Sequence, residues 1–409
     1  MAVVTSAAAG PPAQLRRVPL QTWAAVLAFC LLWTALGSLI VPGARHHDFL
    51  NLYTGASLAL DGNFAHIHSP QVQFERERQF VPALPVLVPF VRPPFYALFL
   101  APLALLPFGV AFWIWLALQS ALLFGCWAWA CARWGSDALV FGALFLPSAL
   151  GIASGQDCVV LLAILIATYS LAEKGSHFSS GVVLALGLIK FHLFLLWPLG
   201  LIIQKRWRML LGASAMAAAE LLVSLWLSGP RGLLAYAELL RNKSLERLSP
   251  SPELMINVES LVLNLGHGNG IVHILLIGIV VLLVAAACWR APLWRAIAAT
   301  SAGSLLVPPH VYGYDAALLL LSIWLVIFSS VDKWKRIAAL LICTPLPFLM
   351  TLAGTPWAAA TPLALLLFLV CLARGSRSEG SYEATPSAHA GIPDIRREIP
   401  RFAESHPLV

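Results

Sequence analysis

Two histidines and an aspartate, His46-His47-Asp48, open the polar stretch that follows the first apolar run of this chain. A carboxylate works as a general base when it is fixed, reachable from a bound hydroxyl and tuned in pKa. Asp is also favoured at a helix N-cap, where its side chain accepts a backbone N–H. Asp48 is therefore predicted to cap a helix that begins at Phe49, to take a proton from a substrate, or to do both.

Three basic residues are candidates for binding a phosphate group. Lys190 interrupts the apolar run GVVLALGLIKFHLFLLWPL, where a lysine is costly unless it pairs, meets an anion or extends to the lipid headgroups. Arg92 in FVRPPF offers a guanidinium whose fork matches phosphate, and His310 lies in PPHVYGYD. We predict phosphate contacts for all three, with a sugar as the alternative ligand for His310 and extension to the headgroups as the alternative for Lys190.

Further polar residues are predicted to contact the substrate. Gln156 in ASGQDC can donate and accept hydrogen bonds as a sugar ligand does. His192 follows Lys190 by two positions, and Tyr314 stands close to His310. For Tyr314 the alternative is a place in the aromatic belt at the membrane interface. The charged run 75–78 is predicted to be a solvated helix face.

The elements that must position these residues are membrane helices. Of the 409 residues, 59% are hydrophobic and 11% are charged, and the mean hydropathy is +0.82. Such a composition is typical of a polytopic membrane protein. Backbone polar groups in hydrocarbon must be satisfied within the chain, and runs such as LLIGIVVLLVAAAC lack the alternation of a β-barrel. The predicted fold class is all-α.

The basic residues lie in small clusters between apolar runs, which marks them as topology signals rather than a surface for nucleic acid. If these clusters are cytoplasmic, the chain crosses roughly twelve times, beginning with a retained span at 22–42. The long loops 43–108 and 229–270 then face outward. Residues 178–203 are predicted to be two short helices, 178–190 and 191–203, although one tilted helix is the alternative.

These patterns divide the chain into three parts. Residues 1–21 are predicted to be a cytoplasmic segment, 22–373 a transmembrane catalytic domain and 374–409 a disordered cytoplasmic tail. Within the first outer loop, DFLNLYTGASLAL places its apolar residues along one helical face, which predicts an amphipathic helix on the membrane surface that Gly62 ends.

Neither a cofactor nor a metal site is predicted. The seven cysteines lie mostly in apolar runs without a CxxC pattern or a Cys/His pair at metal spacing. Near Asp48 there is no DxD-like motif for a nucleotide-bound metal, and no Gly-rich phosphate loop follows a strand.

The order of five sequence pieces carries a resemblance to a known family. They are HDFLNLYTGASLALDGN, RPPFYALFLAPLALLPFGVAFWIW, ASGQDCVVLLAIL, SGVVLALGLIKFHLFLLWPL with QKRWR, and PPHVYGYDAALLL. From about Asp48 to Asp315 the chain resembles glycosyltransferase family 87, bacterial membrane enzymes of the GT-C superfamily that include polyprenyl-phosphate-mannose-dependent mannosyltransferases.

The resemblance implies transfer of a hexose, such as mannose, from a polyprenyl-phosphate donor to a hydroxyl of a glycan or glycolipid on the extracytoplasmic face of the inner membrane. It implies that Asp48 deprotonates the acceptor, that His310 and Lys190 hold the donor phosphate, and that the anomeric carbon is inverted. Two other functions stay open: a carrier or flippase for a lipid-linked saccharide, and an inactive partner subunit. A carrier needs polar groups reachable from both faces near the midplane, whereas these gather at one face.

Overall fold

A computed structural model describes residues 44–241, 252–266 and 270–374, together with the single positions Ala24 and Gly268. All regular structure within those ranges is helical, in agreement with the predicted all-α class. The predicted first span at 22–42, the cytoplasmic segment 1–21 and nearly all of the tail lie outside the described residues.

Seventeen α-helices occur in the described ranges, and short 3-10 segments connect or extend several of them. They are α1 Ala44–Leu60, α2 Pro70–Phe80, α3 Pro94–Leu100, α4 Phe108–Trp134, α5 Asp137–Leu144, α6 Leu146–Ala153, α7 Cys158–Glu173, α8 His177–Ala185, α9 Trp197–Ile203, α10 Trp207–Arg241, α11 Val258–Asn264, α12 Gly270–Cys288, α13 Leu293–Leu306, α14 Leu319–Ser329, α15 Lys333–Cys343, α16 Leu346–Leu352 and α17 Ala360–Ala373.

Four of the described helical segments are long and apolar enough to cross a membrane. They are Phe108–Trp134, His177–Phe194, Trp207–Arg241 and Gly270–Cys288. The bent pair α15 and α16, at 43° to each other, makes a fifth if it counts as one span. The chain therefore has several helices of membrane-spanning length, and the figure of twelve crossings stays a prediction.

Helix α1 forms where the sequence predicts a helix, but its environment differs from the prediction. Residues 49–59 are buried on every face, so α1 is not an amphipathic helix at the surface. It packs against α2, α3, α4 and the 3-10 segment Ala101–Leu105. As predicted, it ends before Gly62, whose φ of +71° suits glycine.

Two glycines allow α8 and α10 to cross closely. A Cβ on Gly181 would lie 1.9 Å from the Met209 carbonyl oxygen, and one on Gly212 would lie 2.1 Å from the Phe178 carbonyl oxygen. Small residues at such crossings are how membrane helices bring their backbones together. This contact fixes the helix from which the Lys190 segment continues.

Helix α2 corrects the prediction of a solvated face at 75–78. Glu75 and Arg78 are exposed, but the Glu77 side chain is fully buried. The Val88 N–H donates to Glu77 Oε2 at 3.1 Å, and the Phe90 N–H donates to Gln73 Oε1 at 2.9 Å. Two buried polar side chains one turn apart therefore hold the extended segment that leads to Arg92.

Candidate active site

A tight turn between α6 and α7 is the centre of the candidate active site. Gly155 adopts φ +75°, and a Cβ there would lie 2.8 Å from the Phe49 Cβ, so only glycine lets this turn approach α1 so closely. The Trp115 indole N–H donates to the Gly155 carbonyl at 2.8 Å. The next two residues, Gln156 and Asp157, are thereby held against the first turns of α1.

Four buried charged side chains meet at this turn, and we refer to Arg92, Asp157, Lys190 and Asp315 as the charge cluster. Arg92 donates to both carboxylate oxygens of Asp157, with Nε–Oδ2 at 3.0 Å and Nη2–Oδ1 at 3.2 Å. The Lys190 Nζ lies 3.1 Å from Asp157 Oδ1 and 2.7 Å from Asp315 Oδ1. The cluster contains two cations and two carboxylates, so its formal charges cancel.

Lys190 enters the cluster because the helix breaks at this residue. The chain continues α8 as a 3-10 segment, Leu186–Phe194, in which Lys190 takes φ −125° and ψ 63°. The break lies where two short helices were predicted to meet. The side chain is 3% exposed and also donates to Gln156 Oε1 at 3.0 Å. The alternative that this side chain extends to the lipid headgroups is therefore wrong.

Asp48 lies beside the charge cluster and is linked to it through Gln156. The Gln156 amide hydrogen-bonds the Asp48 carboxylate, while its oxygen accepts from Lys190 and from Arg92, the latter at 3.3 Å. Helix α1 begins at Ala44, so Asp48 sits inside the helix and the N-cap alternative is wrong. The side chain is partly exposed, which a proton acceptor for a bound hydroxyl needs.

The two kinds of carboxylate differ in pKa. Burial raises the pKa of Asp48 from 3.8 to about 6, against the opposing effects of Gln156, Lys190 and Arg92. Burial also acts to raise the pKa of Asp157, but Arg92 and Lys190 outweigh it and hold that pKa below its usual value. Asp157 therefore stays ionised, whereas Asp48 changes protonation state close to neutral pH.

The late loop brings His310 and Tyr314 to the same region. Its backbone is fixed from the preceding segment, because the Ile256 N–H donates to the Val311 carbonyl at 2.9 Å and Asn257 Nδ2 donates to the Pro308 carbonyl at 2.8 Å. His310 is exposed.

Aromatic rings connect His310 to the cluster. Its ring centroid lies 5.1 Å from that of Tyr312, which lies 5.8 Å from that of Tyr314. The Lys190 Nζ stands 5.4 Å from the Tyr314 ring centroid. His192 is partly exposed and interacts electrostatically with Asp315 and Lys190.

The structure thus gathers all seven predicted site residues around one turn, by direct contact or through their neighbours, although their roles stay predictions. Two members of the charge cluster, Asp157 and Asp315, were missing from the prediction. The signal for them was available, because a lysine buried in an apolar run needs a carboxylate and both aspartates border apolar runs. In the part of the chain that the structure describes, no group of three or more His, Cys, Asp or Glu residues could hold a metal ion.

Comparison with known proteins places the chain within a family. Residues 90–309, more than half of the chain, match the family model described as glycosyltransferase family 87. The matched range contains Arg92, Gln156, Asp157, Lys190 and His192, while Asp48 lies before it and His310, Tyr314 and Asp315 lie after it. No curated protein and no solved structure matches the chain.

Proposed function

The chain belongs to glycosyltransferase family 87 and is a membrane glycosyltransferase, and on that premise we propose that it transfers a hexose, mannose in the first instance, from a polyprenyl-phosphate donor to a hydroxyl of a glycan or glycolipid. The reaction takes place on the extracytoplasmic side of the inner membrane, within a catalytic domain that spans residues 22–373. A lipid-linked donor suits this side, because nucleotide sugars are cytoplasmic.

Asp48 is the proposed general base, and its setting is the main observation that supports the proposal. It is partly exposed, it is fixed by Gln156, and its carboxyl has a pKa of about 6, so it is largely ionised at pH 7 and still basic enough to accept a proton. As the acceptor oxygen bonds to the anomeric carbon, Asp48 takes the hydroxyl proton. The bond from that carbon to the donor phosphate breaks on the opposite side, the phosphate keeps the electron pair, and the configuration inverts.

The opposite side of the sugar needs a ligand for the leaving phosphate. His310 is exposed at the rim of the site and is the proposed direct ligand. The Lys190 ammonium already contacts Gln156, Asp157 and Asp315, which occupies its three N–H donors. It joins His310 on the phosphate when the phosphate replaces one of these carboxylates.

The remaining predicted residues lie around the line that runs from Asp48 through the sugar to the donor phosphate. Arg92 is held in a bidentate pair with Asp157 and contributes to the phosphate at longer range. Gln156, His192 and Tyr314 are the proposed contacts to the sugar, and Gln156 also orients the base.

Transfer of labelled mannose from polyprenyl-phosphate-mannose to a membrane lipid extract tests the proposal, with wild type and Asp48→Asn compared in the same membranes. We expect the substitution to lower the rate by about 10²–10⁴-fold, the usual contribution of a general base. Asp61→Asn is the control, because Asp61 is exposed and pairs with Arg76 away from the cluster. Equal product from wild type and a folded Asp48→Asn variant would remove Asp48 from catalysis.

A further inference from the structure

A concave site lies between the segment at His68 and the last turns of α10. It is a cleft of about 490 Å³, lined by His68, Ser69, Pro70, Ala235, Glu238, Leu239 and Arg241. Clefts that bind small molecules commonly enclose about 300–1,000 Å³. Both walls come from segments predicted to face outward, the side from which an extracytoplasmic substrate arrives.

The cleft and the charge cluster meet at one residue. The His68 Nε2 lies 2.9 Å from the Arg92 carbonyl oxygen, while the guanidinium of the same Arg92 contacts Gln156 and Asp157. Gln156 in turn hydrogen-bonds Asp48. The floor of the cleft is therefore linked to the proposed base through two buried side chains, those of Arg92 and Gln156.

His68 gives the floor a defined hydrogen-bonding character. The Arg92 carbonyl can only accept, so Nε2 carries the hydrogen and Nδ1 is an acceptor. Within the described residues, Nδ1 has no hydrogen-bond partner, although the side chain is only 2% exposed. Burial lowers the pKa of His68 to about 4, which keeps the ring neutral. The Tyr236 ring, 4.4 Å away between centroids, holds the imidazole in place.

The rim of the cleft offers one acceptor and one donor. Glu238 and Arg241 are both exposed and both line it. Their charges offset each other, and the neutral His68 adds none. An anionic ligand such as a phosphate finds no excess positive charge here, whereas hydroxyl groups can donate to Glu238 and His68 and accept from Arg241.

We propose that this cleft binds the acceptor saccharide, as a neutral sugar unit whose hydroxyls meet Glu238, Arg241 and His68, and presents the next hydroxyl toward Asp48. The inference rests on the proposed glycosyl transfer and adds the location and the uncharged nature of the acceptor. It separates the two substrates in space, with the donor phosphate at His310 and the acceptor sugar between α10 and the His68 segment.

Two tryptophan substitutions one residue apart test the cleft. Ala235→Trp fills it, whereas Leu234→Trp is the matched control, because Leu234 is 63% exposed and lies outside the lining. The full chain, purified in detergent, is probed by saturation-transfer NMR with methyl α-mannopyranoside, and with mannose 6-phosphate as the charged probe. We expect Ala235→Trp to weaken binding of the methyl glycoside at least about tenfold, equal to 1.4 kcal/mol, and Leu234→Trp to leave it unchanged.

A rim substitution tests the hydrogen bonds themselves. Glu238→Ala is expected to weaken binding of the glycoside, and Glu238→Gln, which keeps an acceptor oxygen, is expected to restore most of it. Binding that survives Ala235→Trp would overturn the proposal, as would tighter binding of mannose 6-phosphate than of the neutral glycoside.

The transfer assay separates this inference from the proposed function. If wild type transfers mannose and Ala235→Trp leaves the acceptor KM unchanged, the cleft is not the acceptor site although the function stands. If no variant transfers from the polyprenyl-phosphate donor but Ala235→Trp still abolishes glycoside binding, the donor assignment fails and the sugar site stands.

Discussion

The charge cluster and Asp48 are neighbours with opposite electrostatic situations. In the cluster, each buried carboxylate contacts a buried cation at 2.7–3.1 Å, and Asp157 is held ionised. Asp48 is linked to the same cations through the Gln156 amide, and burial raises its pKa to about 6. A carboxylate in direct contact with a cation has a lowered pKa and is a weaker base. Asp48 contacts the amide of Gln156 instead and remains the stronger base.

This difference assigns separate tasks to the two regions. The cluster joins four distant parts of the chain, because Arg92, Asp157, Lys190 and Asp315 come from different segments. It is suited to holding those segments in register. Asp48 is suited to exchanging a proton, since its two protonation states lie close in free energy near neutral pH.

The largest expected effect comes from breaking the cluster at Lys190. Lys190→Met leaves Asp157 and Asp315 with one cation between them, and removal of one partner from a buried ion pair costs about 3–5 kcal/mol. The free energy of unfolding, measured in micelles by steric trapping, is expected to fall by that amount. The same substitution at Lys174, which is exposed in the turn after α7, is expected to change it by less than about 0.5 kcal/mol.

A compensating substitution sharpens this result. Lys190→Met combined with Asp315→Asn restores the charge balance, and the double variant is expected to recover part of the lost free energy of unfolding. If the double variant is no more stable than Lys190→Met alone, charge matching is not what stabilises the cluster, and its difference from Asp48 loses its physical basis.

An effect of intermediate size is expected at Glu77, a buried polar side chain that forms no ion pair with any other described residue. Burial raises the pKa of Glu77 to about 8, so the side chain is neutral at pH 7 while it accepts the Val88 N–H. Glu77→Ala is expected to cost about 1–3 kcal/mol, because that N–H loses its partner. Glu77→Gln matches the neutral acid in shape and is expected to stay within about 1 kcal/mol of wild type.

Hydrogen exchange measures the effect of the Glu77 substitutions at the Val88 amide itself. In Glu77→Ala the Val88 amide is expected to exchange faster, and the shift of the 88–92 segment is expected to lower transfer activity through Arg92. Faster exchange in Glu77→Gln as well would mean that the carboxylate charge, rather than the hydrogen bond, holds the segment.

The sequence predicted much of this arrangement, and its failures have one cause. The helix at 49–60, its end before Gly62 and the break at Lys190 follow from local signals: apolar spacing, a glycine and a lysine within an apolar run. The burial of α1 and of Glu77 does not, because it depends on which segments pack against them. In a membrane protein, apolar periodicity on one face cannot tell a lipid surface from a protein neighbour.

In the site, too, single residues were predictable from the sequence but their partners were not. Each of the seven predicted residues was found as a polar exception in an apolar setting. The partnership among Arg92, Asp157, Lys190 and Asp315 joins residues up to 223 positions apart, and a single sequence gives no information on which aspartate meets which cation.

The sharpest test of the contrast is the pH dependence that Asp48 confers. Its pKa is about 6 in the folded chain and 3.8 as an unperturbed carboxyl. Between these values the folded state binds more protons than the unfolded state, so the Asp48 contribution to the free energy of unfolding falls as pH rises from about 4 to about 6. Over the upper part of this window the base becomes ionised, so kcat/KM is expected to rise and to reach half its maximum near pH 6.

As pH rises over this window, the Asp48 carboxyl therefore lowers the free energy of unfolding and raises activity. No member of the charge cluster has these two opposite effects. In Asp48→Asn the slope of the free energy of unfolding against pH, between pH 4 and 6, is expected to become more positive than in wild type, because the group that releases a proton on unfolding has been removed. At pH 7 the variant is expected to be at least as stable as wild type. An Asp48→Asn variant with an unchanged slope would mean that this carboxyl has the same pKa in both states. The neighbours of Asp48 would then fully offset the effect of its burial, and the division of tasks between the two regions would not hold.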